Sequence, residues 1–255
     1  MSPSHRLWSL SLFFTYIVGG IALLLFSSYL VPIFVAVIGV LSILAIRFFI
    51  SARTSLSERL LFVLSIMLFY TSGLAFFVFL EHRTFEYITL VLVAVIAAIY
   101  IENAYKYLWH ESNYQVSALS NVSSYMHLLS VFFLTVSLFD LRFFFGISSL
   151  VMLIVAGVFG LMLFYVFLWS QKVLLTSSRW YSLLFAFIFV EFIYVLNVWP
   201  HLPLVKGVVT LALVYGMMQI LLASLRDILN PKKVARILGI VAFVLVIVLA
   251  TSQWK

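Results

Sequence analysis

Charged residues are scarce in this chain. Asp, Glu, Lys and Arg make up only 9% of its 255 residues, whereas 65% are apolar. The mean hydropathy is correspondingly high, at +1.23. A water-soluble domain carries roughly a quarter charged residues because its surface faces water. The apolar surface of this chain must therefore face lipid, and the composition excludes a soluble globular protein.

Cysteine is absent, which excludes disulfides and thiolate chemistry. The net charge of +7 does not indicate a nucleic-acid partner, because the basic residues lie in short gaps between apolar runs and form no extended patch. We therefore exclude nucleic acid, and we expect the lipid bilayer and other membrane proteins as partners. The few prolines lie at the ends of runs or between them, so none interrupts the centre of a predicted span.

Long apolar runs dominate the remaining sequence. A helix needs about 20 apolar residues to cross the hydrocarbon core of a bilayer. The runs are continuous, whereas membrane β-strands would alternate in short segments, so they predict an all-α, polytopic bundle in one integral membrane domain, 1–255. Nine spans are expected, at about 8–27, 29–46, 60–80, 87–101, 122–139, 143–169, 181–199, 207–225 and 237–254.

Orientation follows from the distribution of Lys and Arg between the predicted spans. Eleven of the 15 lie at the N-terminus and in the even-numbered gaps, and four lie in the odd-numbered gaps and at the C-terminus. Positive residues are retained on the cytoplasmic side. We therefore predict that the N-terminus is inside and the C-terminus outside. A bacterial or archaeal cytoplasmic membrane is the expected location.

The fourth run is short and is followed by an amphipathic stretch. Its 15 residues rise about 22 Å in a helix, which is less than the hydrocarbon thickness. Beyond it, apolar and polar side chains separate onto two helix faces, with Ile101, Ala104, Tyr105, Leu108 and Trp109 on one and Glu102, Asn103, Lys106 and His110 on the other. We expect a helical extension over 102–110 on the cytoplasmic side, either an interfacial helix end or a docking surface.

Glu191 is the one acidic residue well inside a predicted span. An ionised carboxylate at that depth costs about 3 kcal/mol on insertion scales, so we expect it to be neutral or paired. Hydroxyl and amide groups at comparable depth are supplied by Tyr70, Thr71, Tyr215 and Gln219. These five residues form the candidate intramembrane polar site, with Glu191 pointing into the bundle. Hydrogen bonding between helices and proton or ligand handling are the two roles left open.

The sequence contains no recognisable catalytic or metal-binding motif. His110-Glu111 begins like a zincin helix, but Tyr114 stands where the second histidine ligand is required. His127 is expected at the inner interface of the fifth span. Ala156, Gly157 and Gly160 form a small-residue patch that is typical of close packing between membrane helices. We expect no catalytic residues, no metal and no cofactor.

Three classes of function are consistent with these observations. The first is a non-catalytic assembly, scaffold or regulatory membrane component, which fits the scarcity of polar residues in the spans. The second is a transporter or channel subunit that uses Glu191 for proton or ligand handling. The third is an intramembrane enzyme, which is the weakest because acid, base and nucleophile do not converge in the sequence.

Overall fold

The computed structural model of the chain describes residues 3–25, 30–50, 55–109, 117–173 and 175–251, and within these residues it is all-helical. The described residues form nine helices: α1 (Pro3–Leu25), α2 (Leu30–Ile50), α3 (Leu56–Val78), α4 (Arg83–Trp109), α5 (Ala118–Phe145), α6 (Ser149–Ser170), α7 (Leu175–Val198), α8 (Pro203–Leu225) and α9 (Pro231–Thr251). His110, and the predicted span ends at Ser27, Tyr29 and Trp254, lie outside the described residues.

Seven of these helices, α2 to α8, are long and apolar enough to cross a membrane, and α1 contributes a shorter apolar segment, Leu10–Leu25. The described part of the chain is therefore an apolar helical bundle compatible with a multi-pass integral membrane protein. The number of nine spans and the orientation remain predictions.

α6 begins later in the sequence than the predicted sixth span. Residues 143–145 belong to the end of α5, and α6 begins only at Ser149. Gly146 separates the two helices with a φ of +63°, a left-handed conformation that glycine adopts readily, and its N–H donates to the carbonyl of Arg142 at 3.0 Å. Ser148 then caps α6 by accepting a hydrogen bond from the N–H of Val151 at 3.3 Å.

The chain divides into two compact units, and the division falls inside α5. The first unit is Met1–Ser130. In it, α1 packs against α2 and α4, and α3 packs against α2 and α4. Phe49 of α2 stacks on Phe62 of α3, with ring centroids 5.2 Å apart. The core of this unit is therefore aromatic and apolar.

The C-terminal part of α4 packs on the protein as well. α4 is continuous to Trp109, so residues 102–109 are helical, as expected from the amphipathic pattern. Ile101, Ala104 and Tyr105 are buried, and Trp109 contacts Phe48 of α2 edge-on at 5.8 Å between ring centroids. The apolar stripe therefore packs inside the first unit. Its position on the cytoplasmic side stays a prediction.

The second unit is Val131–Lys255. α6 packs against α7, and the small-residue patch predicted on α6 forms part of this contact. A Cβ atom at Gly160 would lie 2.9 Å from Phe189 Cδ1, and one at Gly157 would lie 3.3 Å from Val190 Cγ2. α8 packs against α9, where Gly216 faces Val241. Small residues thus set how closely the helices of this unit approach.

Candidate functional site

The five residues of the predicted polar site fall in both units. Tyr70 and Thr71 lie on α3 in the first unit, whereas Glu191 lies on α7 and Tyr215 and Gln219 lie on α8 in the second. Tyr70 is fully buried, and Tyr215 and Gln219 are half-buried. Their grouping into one site stays a prediction.

Glu191 does not point into the helix packing of its own unit, and its orientation within the whole bundle stays a prediction. Its side chain is exposed, and no described residue forms a hydrogen bond or ion pair with it. Phe189 and Ile193, two positions before and after it, are the buried residues. Because successive helix residues are about 100° apart, a residue two positions away projects to the opposite side. The packing of α7 therefore turns Glu191 outward.

The exposed side of α7 around Glu191 is otherwise apolar, apart from the hydroxyl of Tyr194. We call it the Glu191 face and define it as Leu183, Leu184, Phe187, Glu191, Tyr194, Val195 and Val198. Phe187 and Val195, one turn before and after Glu191, are 62% and 63% exposed. Glu191 itself lies seven residues, or about two turns, before α7 ends at Val198. This carboxyl is the one acidic group of the Glu191 face, whose apolar side chains suit contact with lipid or another helix.

Tyr70 belongs to a different arrangement in the first unit. Its ring stacks on Tyr16 of α1, with centroids 4.8 Å apart. The two hydroxyls are buried and have no hydrogen-bond partner among the described residues. Gly73 lies beside them, since a Cβ there would be 3.1 Å from the Tyr16 hydroxyl. The pair is thus an aromatic contact between α1 and α3.

A buried histidine cluster is the main polar feature that the sequence analysis missed. His127 is fully buried within the protein, and its predicted depth at the inner interface stays a prediction. Its Nε2 lies 3.1 Å from the Ser65 hydroxyl on α3, and its Nδ1 lies 3.1 Å from the Ser123 hydroxyl one turn earlier on α5. An imidazole can donate through one nitrogen and accept through the other, and serine hydroxyls can play either role. His127 therefore links α3 to the first half of α5 with both ring nitrogens satisfied.

The spacing along α5 contains a signal that would have revealed this cluster. Ser123, His127, Ser130 and Ser137 follow one another at intervals of four, three and seven residues, which places them on one helix face. All four are buried. A polar stripe on a membrane helix indicates its protein-facing side, because lipid offers no hydrogen-bond partner.

Among the described residues, no group of three His, Asp or Glu side chains comes together in a way that would hold a metal ion. Comparison of the chain with protein-family models, with curated proteins and with solved structures found no match.

Proposed function

We propose that this protein is a non-catalytic membrane component that assembles with another membrane protein through the Glu191 face of α7. The observation that carries the proposal is the exposed Glu191 carboxyl on an apolar helix surface. We infer that the Glu191 face binds a transmembrane helix that presents a lysine or arginine at the depth of Glu191.

A carboxyl group without a hydrogen-bond partner in hydrocarbon raises the free energy of the protein. Even a neutral polar group without a hydrogen-bond partner costs a few kcal/mol in an apolar medium, and an ionised one costs more. A partner cation would supply both charge and hydrogen-bond donors. The flanking Phe187 and Val195, both exposed, would add van der Waals contact with the same helix.

The partner cation is expected to come from a different protein. The Lys and Arg residues of the described helices lie close to helix ends, as Arg179 and Lys206 do at the starts of α7 and α8. A symmetric contact between two copies through this face would bring carboxyl against carboxyl, since such interfaces use the same patch twice. Charge complementarity therefore favours a basic partner over a second copy.

The transporter alternative receives less support from this position. It requires Glu191 to line an interior path, where a carboxylate can exchange protons or contact a ligand. The Glu191 side chain faces away from the helices that pack on α7 in its own unit. An assembly role uses the outward position directly.

Photocrosslinking from α7 in native membranes tests the proposal. A photoreactive residue in place of Val195, one turn from Glu191, is expected to form an adduct with a different polypeptide. The crosslinked segment should be a transmembrane helix that contains Lys or Arg. The matched control is the same residue at Ile154, which is 56% exposed on α6 and should give no such adduct.

Two outcomes would overturn this assignment. One is an adduct between two copies of this chain. The other is the absence of any polypeptide adduct from position 195, which would show that the Glu191 face contacts lipid alone.

A further inference from the structure

The end of α5 and the start of α8 approach each other closely in the second unit. A Cβ atom at Gly207 would lie 2.4 Å from Val136 Cγ2 and 3.1 Å from the Phe132 ring. Because residue 207 carries no side chain, α8 can pack directly on α5 at this point. Phe139, one turn beyond Val136, then lies against Lys206, whose Nζ is 4.5 Å from the centre of the Phe139 ring.

Lys206 and Arg142 bring two positive charges to this contact. Lys206 is only 8% exposed, and Arg142 follows Phe139, the residue that Lys206 contacts, by one turn in α5, so the two positive charges repel each other. Arg142 donates to the hydroxyl of Ser149 at the start of α6. No carboxylate of the described residues forms an ion pair with either cation. A buried cation beside a like charge is costly, so an anion between them would be stabilised.

The start of α8 adds to the positive potential. Lys206 lies in the first turn of the helix, where backbone N–H groups carry partial positive charge and a cation is unfavourable, and its own N–H donates to the Leu202 carbonyl at 3.2 Å. This turn contains no acidic residue, and Leu202 at the N-cap position provides no side-chain hydrogen bond. Helix N-termini of this kind attract anions, phosphate in particular.

We propose that Arg142, Lys206 and the first turn of α8 form a binding site for a phosphate group. The planar guanidinium of Arg142 can bind two phosphate oxygens at once, and the Lys206 ammonium supplies a point charge held in place by Phe139. The ends of membrane helices lie near the lipid headgroups, so the phosphate is either that of a lipid headgroup or a free phosphate ion.

The test uses the purified full chain in neutral detergent and measures binding of short-chain phosphatidic acid. Diacylglycerol with the same acyl chains, which lacks the phosphate, is the ligand control. We expect phosphatidic acid to bind more tightly than diacylglycerol. Arg142→Gln and Lys206→Met should each weaken its binding at least tenfold, whereas Arg179→Gln, at an exposed position on α7, should leave it unchanged.

Competition with inorganic phosphate distinguishes the two sources. Displacement of phosphatidic acid by inorganic phosphate assigns the site to free phosphate, and retention assigns it to the headgroup. Equal binding of the two lipids, or an equal loss with Arg179→Gln, would overturn the proposal. If Lys206→Met fails to fold, the binding measurement with Arg142→Gln still tests the proposal. Arg142 is only half-buried, so its replacement should not prevent folding.

Discussion

Replacement of His127 by alanine is expected to lower the free energy of unfolding by about 3 kcal/mol, from the cavity and the two lost hydrogen bonds together. The imidazole is fully buried between α3 and α5, and its removal leaves the hydroxyls of Ser65 and Ser123 without their shared partner. Unfolding of the purified protein by increasing SDS in mixed micelles measures the change.

The matched control is Tyr125→Ala, two residues earlier on α5, where the side chain is 69% exposed. This larger truncation should change the free energy of unfolding by no more than about 0.5 kcal/mol, as surface substitutions usually do. Ser123→Ala removes one hydroxyl and should cost less than His127→Ala. Equal effects of His127→Ala and Tyr125→Ala would show that the cluster does not hold α3 to α5.

Gly207→Leu is expected to destabilise the second unit by about 3 kcal/mol, at the upper end of typical overpacking costs. The added side chain meets Val136 and the Phe132 ring where α8 lies on α5, and even its Cβ is closer than van der Waals contact allows. The same SDS titration measures the loss. Because the substitution pushes α8 away from α5, it should also weaken the binding of phosphatidic acid.

Gly239→Leu provides the comparison for this substitution. Gly239 lies on α9. A Cβ there would have no described atom within 4 Å apart from its chain neighbours and the backbone of its own helix. Leucine should be tolerated, with a gain of up to about 1 kcal/mol from its better helix propensity. A loss at Gly239 as large as that at Gly207 would mean that helix packing does not determine the cost.

The sequence predicted the helical fold well because the hydrocarbon thickness imposes a length on each apolar run. The helix bounds differ from the predicted spans at the junction of α5 and α6, where Phe143–Phe145 continue the apolar run without a visible break. Only the left-handed backbone of Gly146 ends α5 there. A hydropathy pattern does not contain that information, because it records the polarity of side chains and not backbone conformation.

The orientation of polar side chains was harder to predict. In a soluble protein the polar face of a helix indicates solvent, but a membrane helix is apolar toward both lipid and protein. Glu191 was therefore placed inward on energetic grounds alone, whereas Phe189 and Ile193 are the residues that pack. His127 was assigned to the inner interface from its place near the end of the predicted fifth span, and its partner Ser65 on α3, 62 residues away in the sequence, could not be foreseen.

The assembly role proposed for this protein depends on the Glu191 carboxyl, which is expected to join it to a basic helix of another protein. It is tested most directly by comparing Glu191 with Glu191→Leu in the photocrosslinking experiment at position 195. We predict at least a tenfold lower adduct yield with leucine, which corresponds to about 1.4 kcal/mol. The resistance of the purified chain to SDS should stay the same or rise, since an exposed carboxyl in hydrocarbon is unfavourable. An unchanged adduct yield, or a parallel loss of yield and SDS resistance, would contradict the claim.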